Sequence, residues 1–201
     1  MRRVLGALLL ILCAMAARAQ DLSKPVLLVA QPALQGPYSH TALLVVPMGD
    51  KHIGFILNRS TGTRMGTAFP EHAPSKKVLD PIYFGGPEAS DALFALLPRD
   101  PGNPSVHLFG DLYMTGNGKV IDSIIEQTPN DARYFAGFVG WMPDELAKEI
   151  AAGYWIVGEP DSRQVFLKDT SHMWEDLLER LGKGKAKRPG EKEAAAASPV
   201  S

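Results

Sequence analysis

Cysteine is nearly missing. The 201-residue chain has one, Cys13, and it falls in an N-terminal segment that reads as removable. A mature chain without it holds no thiol, which excludes a disulfide, a cysteine nucleophile and a thiolate metal site. Long apolar runs are lacking too. The longest, residues 4–17, is short of the roughly 18 to 20 residues that span a bilayer. It follows Arg2 and Arg3 and ends at Ala17-Arg18-Ala19, a small-x-small pattern before Gln20. Residues 1–19 are therefore expected to be a secretory signal. That predicts a periplasmic or secreted protein with no stable membrane insertion after cleavage.

Clustered positive charge is also absent. The whole chain carries a net charge of −1. Removing Arg2, Arg3 and Arg18 makes it −4, and removing the five bases and two acids after Gly182 makes it −7. An acidic globular part is a poor nucleic-acid surface, because non-specific affinity comes from clustered Lys and Arg on phosphates. Catalytic patterns are missing as well. His40, His52, His72, His107 and His172 show no two-in-a-turn metal spacing, and there is no Gly-x-Ser-x-Gly elbow. No metal and no cofactor are expected.

What is present is enough for one core: about 160 residues between Gln20 and Gly182, too few for two comfortable domains. Residues 183–201 are Lys, Glu, Ala, Pro and Gly without apolar periodicity and read as a disordered tail. Short apolar runs at residues 26–30, 42–46, 53–57, 82–84, 93–97, 106–109, 112–115, 134–139, 155–157 and 165–167 read as strands. Residues 41–57 read as a hairpin, and Gly110-Asp111 suits a two-residue turn. Residues 61–80 are polar and broken, with at most one helical turn at 65–69.

Helices are expected after Asn117-Gly118, with Val120, Ile121, Ile124 and Ile125 inward, and after Asp169 or Thr170, with Met173, Trp174, Leu177, Leu178 and Leu181 inward. Strand-rich early and helix-punctuated late, the chain is α+β.

Residues 137–158 carry the clearest local signal. Pro143 suits the first helical position, and Asp144 and Glu145 place negative charge at the positive end of the helix dipole. Leu146, Ala147, Ile150 and Ala151 make one apolar face. Trp141 and Leu146 have hydrophobic-staple spacing, and Gly153 marks the stop.

Four stretches together resemble the AlgH/YqgE family. They are Leu28-Val29-Ala30-Gln31-Pro32-Ala33-Leu34 with Gly36-Pro37-Tyr38 and residues 41–46; Gly54-Phe55-Ile56-Leu57-Asn58-Arg59; Ile82-Tyr83-Phe84-Gly85-Gly86-Pro87; and Gly137-Phe138-Val139-Gly140-Trp141 with Glu145-Leu146, Glu149 and Trp155. Their order and spacing match across residues 26–181. The resemblance implies a single compact domain with a bifurcated, partly barrel-like sheet flanked by helices. Its members are labelled transcriptional regulators of alginate production, without a recognisable DNA-binding motif. Gln31, Gly36 and the exported N-terminus depart from the family's usual pattern.

Candidate site residues follow from these motifs. Asn58 and Arg59, at a strand end, could bind a carboxylate or phosphate; the competing reading is that Asn58 stabilises a turn and Arg59 pairs with an acid. Gly85, Gly86 and Pro87 could present backbone N–H groups to an anion, or form a tight turn. Trp141 could line a ligand site or pack in the core, and Glu145 and Glu149 read as a solvated helix face. The leading expectation is a non-enzymatic exported protein that binds a partner protein or small ligand near Asn58, Arg59, Gly86 and Trp141. An intracellular regulator and an unrecognised hydrolase are the alternatives.

Overall fold

The computed structural model describes residues 20–186. The expected signal, residues 1–19, lies outside them, as does the chain after Ala186. Ten strands form the fold: β1 (Val26–Ala30), β2 (Ala42–Met48), β3 (Lys51–Ile56), β4 (Ser60–Arg64), β5 (Pro81–Phe84), β6 (Glu88–Leu97), β7 (Val106–Phe109), β8 (Leu112–Thr115), β9 (Arg133–Trp141) and β10 (Trp155–Gly158). The helices are α1 (Met65–Ala68), α2 (Gly118–Gln127), α3 (Glu145–Ala151), α4 (Ser162–Val165) and α5 (Met173–Ala186), with a 3-10 turn at Ala73–Lys77. This is the α+β domain expected.

The sheet runs β10-β1-β2-β3-β9-β6-β8-β7, and it forks at β9. Tyr83 and Phe84 of β5 pair in parallel with Phe135 and Ala136, while His52, Ile53 and Gly54 of β3 pair antiparallel with Trp141, Gly140 and Val139. Partners on one edge of β9 therefore change across Gly137, whose φ of 68° breaks the strand's regular pleat. The expected bifurcated sheet has this residue at its branch.

β1 is buried along its whole length, which explains its unbroken Val-Leu-Leu-Val-Ala run. α5 packs on β1, β2 and β10, and the Trp174 indole donates to the Ala30 carbonyl at 2.9 Å. A second cluster, including Met65, Val78, Leu97, Ile121, Ile124, Ile125 and Tyr134, lies under α1 and α2. The Asn117 side chain caps α2 by accepting from the Val120 N–H.

Local expectations fail in several places, among them the polar stretch 61–80, which holds the 3-10 turn at Ala73–Lys77 besides α1. Residues 165–167 are not a strand: Asp161 caps α4 by accepting from the Arg163 N–H. β4 is a strand although all five of its residues are exposed, so burial left no apolar trace in its sequence. β6 begins at Glu88 rather than Leu93; its first half is polar and pairs irregularly with β9, so no apolar run marks it in the sequence. α5 runs to Ala186, past the expected start of the tail at residue 183.

Tyr134 gives this fold an alkaline limit. Its hydroxyl donates to the Pro129 carbonyl, and burial, reinforced by Asp131, raises the phenol above its ordinary value of 10.0. The native state then keeps a proton that the unfolded chain releases. Stability from this group is complete below about pH 10 and declines as pH rises beyond it. The urea midpoint is expected to fall more steeply between about pH 9 and pH 11 in the native chain than in Tyr134→Phe. Equal slopes would remove Tyr134 as the cause.

Candidate functional site

Helix α3 starts two residues later than its sequence suggests. Glu145 is its first residue, and Asp144 precedes it in the left-handed region at φ 67°. Pro143 is therefore outside the helix. The Glu145 carboxylate accepts from the Met142 N–H, closing this entry. The exit is a Schellman motif: the Tyr154 N–H bonds to the Glu149 carbonyl, the Gly153 N–H to that of Ile150, and Gly153 has φ 79°. Leu146 is buried and Ile150 half-buried, whereas Ala147 and Ala151 face solvent.

Glu149 is not part of a solvated face. Its Oε2 accepts from the Trp141 indole at 2.9 Å and from the Trp155 indole at 2.7 Å. Trp141 ends β9 and Trp155 begins β10, so one carboxylate oxygen ties the helix to both strands. Two donors on one charged acceptor make a strong clasp. Both rings are 4% exposed, and that of Trp141 lies across Gly54, where an added Cβ would come within 2.8 Å of it.

The candidate strand ends have partners within the domain. The Asn58 Oδ1 accepts from the Ala42 N–H at 3.0 Å, and Nδ2 donates to the His40 carbonyl at 2.9 Å. Arg59 donates to the Pro37 carbonyl at 2.6 Å rather than to an acid. Together they fasten the end of β3 to the 36–41 loop. Gly85 and Gly86 are buried against Gly137, Phe138 and Val139, with the Gly85 N–H bonded to the Ala136 carbonyl. Their backbone is enclosed by the sheet, while Pro87 is exposed.

These fastenings bring Tyr38 over β9 and α3. Tyr38, Val139, Gly140, Trp141, Glu145, Lys148 and Glu149 line a cleft of about 330 Å³. Of the six candidate residues only Trp141 lines it; Arg59 reaches it indirectly, through the loop that carries Tyr38. Burial raises the Tyr38 phenol, and the charges of Glu149 and Glu88 act in the same direction against Arg59. The Tyr38 and Trp155 rings are 6.3 Å apart. Tyr38 stands in one of the four motif stretches but is not among the six candidate residues.

A buried cation also escaped notice. The Arg133 side chain is 1% exposed; Nη2 donates to the Leu167 carbonyl at 2.6 Å and lies 3.6 Å from Asp80, and its guanidinium carbon is 4.4 Å from the Tyr83 ring centre. Its Nε and Nη1 are buried without partners. Arg133→Met is expected to be neutral or stabilising, while Asp80→Ala should cost on the order of 2 kcal/mol by leaving the guanidinium without its counter-ion. Urea melts of the two variants check this; a larger loss in Arg133→Met would contradict it.

The histidines are dispersed. His52 bonds to the Leu22 carbonyl, His107 to that of Gly110, and His72 Nδ1 to the Ser75 hydroxyl at 2.8 Å. The His40 ring packs edge-on against Trp174 at 4.4 Å.

A family model described as AlgH-like (DUF179) matches residues 27–186. A UPF0301 protein of Cytophaga hutchinsonii is 30% identical over 168 residues, covering 80% of this chain and 91% of the relative. Another, from Bacteroides thetaiotaomicron, is 28% identical over 167 residues, covering 80% and 83%. The solution structure of the AlgH protein from Pseudomonas aeruginosa matches with a TM-score of 0.68 at 22% identity, covering 86% of this chain and 97% of that one. A crystal structure of a Corynebacterium diphtheriae protein matches at 0.67 and 22%, covering 82% and 90%. At that identity the structural likeness is one of fold.

Proposed function

The chain belongs to the AlgH-like family, and from that premise we propose that it is an exported, non-enzymatic binding protein whose site is the cleft between Tyr38, Trp141 and Glu149. One observation carries this reading. The motif stretches around Tyr38, Trp141 and Glu149 line a single cleft, and those around Asn58-Arg59 and Gly85-Gly86 hold its walls.

The ligand presents a basic group, as an ammonium or guanidinium on a peptide or small molecule. Glu145 and Glu149 outnumber Lys148 in the lining, Glu88 adds to the negative potential felt by Tyr38, and aromatic faces favour a cation. Export rests on residues 1–19, with their two arginines, apolar run and Ala17-Arg18-Ala19.

Two experiments test these parts separately. N-terminal sequencing of the natural product should give a start at Gln20 in the exported fraction; an intact start in the cytoplasm overturns export. Titration with Nα-acetyl-lysine amide should change tryptophan fluorescence saturably, and the uncharged Nα-acetyl-norleucine amide should not. Glu149→Gln should abolish the response. Equal responses to the two amides would overturn the cleft assignment.

A further inference from the structure

A second cleft, sharing no lining residue with the first, lies over the α1–α2 side of the domain. Phe69, His72, Ser75, Ala92, Leu93, Gly116, Gly118, Ile121, Asp122 and Ile125 enclose about 400 Å³ there. A volume in this range, apolar walls and a few convergent polar groups are the usual features of a small-molecule site. Ile121 and Ile125 form the floor at 4% and 2% exposure, and Phe69 stands at the mouth with 44% of its surface in solvent. A large aromatic side chain left in water beside an apolar cleft is what a ligand would cover.

The polar groups narrow the ligand class. Ser75 is fully buried, and its hydroxyl meets His72 Nδ1 at 2.8 Å. That contact occupies Nδ1 and leaves Nε2 as the ring nitrogen that can hydrogen-bond to a ligand oxygen. Asp122 is exposed on the rim and disfavours an anion. The apolar walls disfavour a cation. The buried Ser75 lies in the 3-10 turn that His72 precedes, and its hydroxyl orients the ring.

We propose that this cleft binds a small neutral molecule with a ring-sized apolar body and one hydroxyl group, which hydrogen-bonds to His72 Nε2.

The test uses the full chain with isoleucine methyl groups labelled for NMR, titrated with p-cresol. Ile121 and Ile125 methyl resonances should move saturably, with a Kd of about 1 mM or tighter. Those of Ile53 and Ile156, in the other core cluster, should stay in place. Toluene, which has the same ring and methyl group but no oxygen, should bind about fivefold more weakly, as should p-cresol to His72→Ala. Ala92→Phe should fill the cleft and abolish saturation. Absence of saturable shifts at Ile121 and Ile125 overturns the site. Equal affinity for toluene and p-cresol overturns the assigned hydrogen bond to His72.

Discussion

Gly86→Ala is expected to cost more than about 4 kcal/mol, or to prevent folding, although it adds one methyl group. The new Cβ would overlap the carbonyl of Phe138 and the amide of Val139, all of them backbone atoms in the middle of β9. A flexible side chain could turn away; a paired strand cannot. Gly85 is equally closed, by the Gly137 carbonyl, and a Cβ on Gly137 would lie 2.6 Å from the Glu88 carbonyl oxygen. Three glycines thus let β5, β6 and β9 approach where the sheet forks. Gly118→Ala is the control, since no atom lies within 4 Å of its added Cβ. Urea melts should place that variant within about 0.5 kcal/mol of the native chain. A loss below about 1 kcal/mol for Gly86→Ala would show that the fork has slack.

Glu149→Ala should cost about 3 kcal/mol, because it leaves two nearly buried indole donors, Trp141 and Trp155, without an acceptor. An exposed helix position would ordinarily lose less than about 0.5 kcal/mol. Glu149→Gln keeps an oxygen for the indoles while removing the charge, so it should retain most of the stability and lose the response to a basic ligand. Thermal melts separate the two roles. Similar stability loss in both variants would mean that charge, rather than hydrogen bonding, holds the clasp.

Legibility in the sequence tracked how local each cause was. The α2 helix was readable because its Asn117 cap and its Val120, Ile121, Ile124 and Ile125 face are set by residues within two turns. The hairpin of β2 and β3 was readable for the same reason. β4 was hidden because an exposed edge strand needs no apolar residues. Residues 165–167 misled because a short apolar run fits a strand or a buried helix end equally, and Asp161 decided for the helix.

At the candidate strand ends the motif residues are held by partners distant in the chain, which no local pattern displays. Asn58 and Arg59 are occupied with two carbonyls of the loop before β2 and the amide of Ala42, the first residue of β2, partners some 16 to 22 residues away in the chain. Gly85-Gly86 answers to a backbone some 50 residues further on, so no local pattern could show its enclosure. Glu149 read as solvated because its helix neighbours are charged, and only the return of β10 brings the second indole to it.

Hydrogen exchange of the three indole N–H groups is the most direct test of the clasp on which the cleft depends. In the native chain all three should be protected. In Glu149→Ala the Trp141 and Trp155 protons should exchange rapidly together, while Trp174, bonded to the Ala30 carbonyl, should keep its protection. Exchange that rises at only one of the first two, or equally at all three, would contradict a single carboxylate holding both walls.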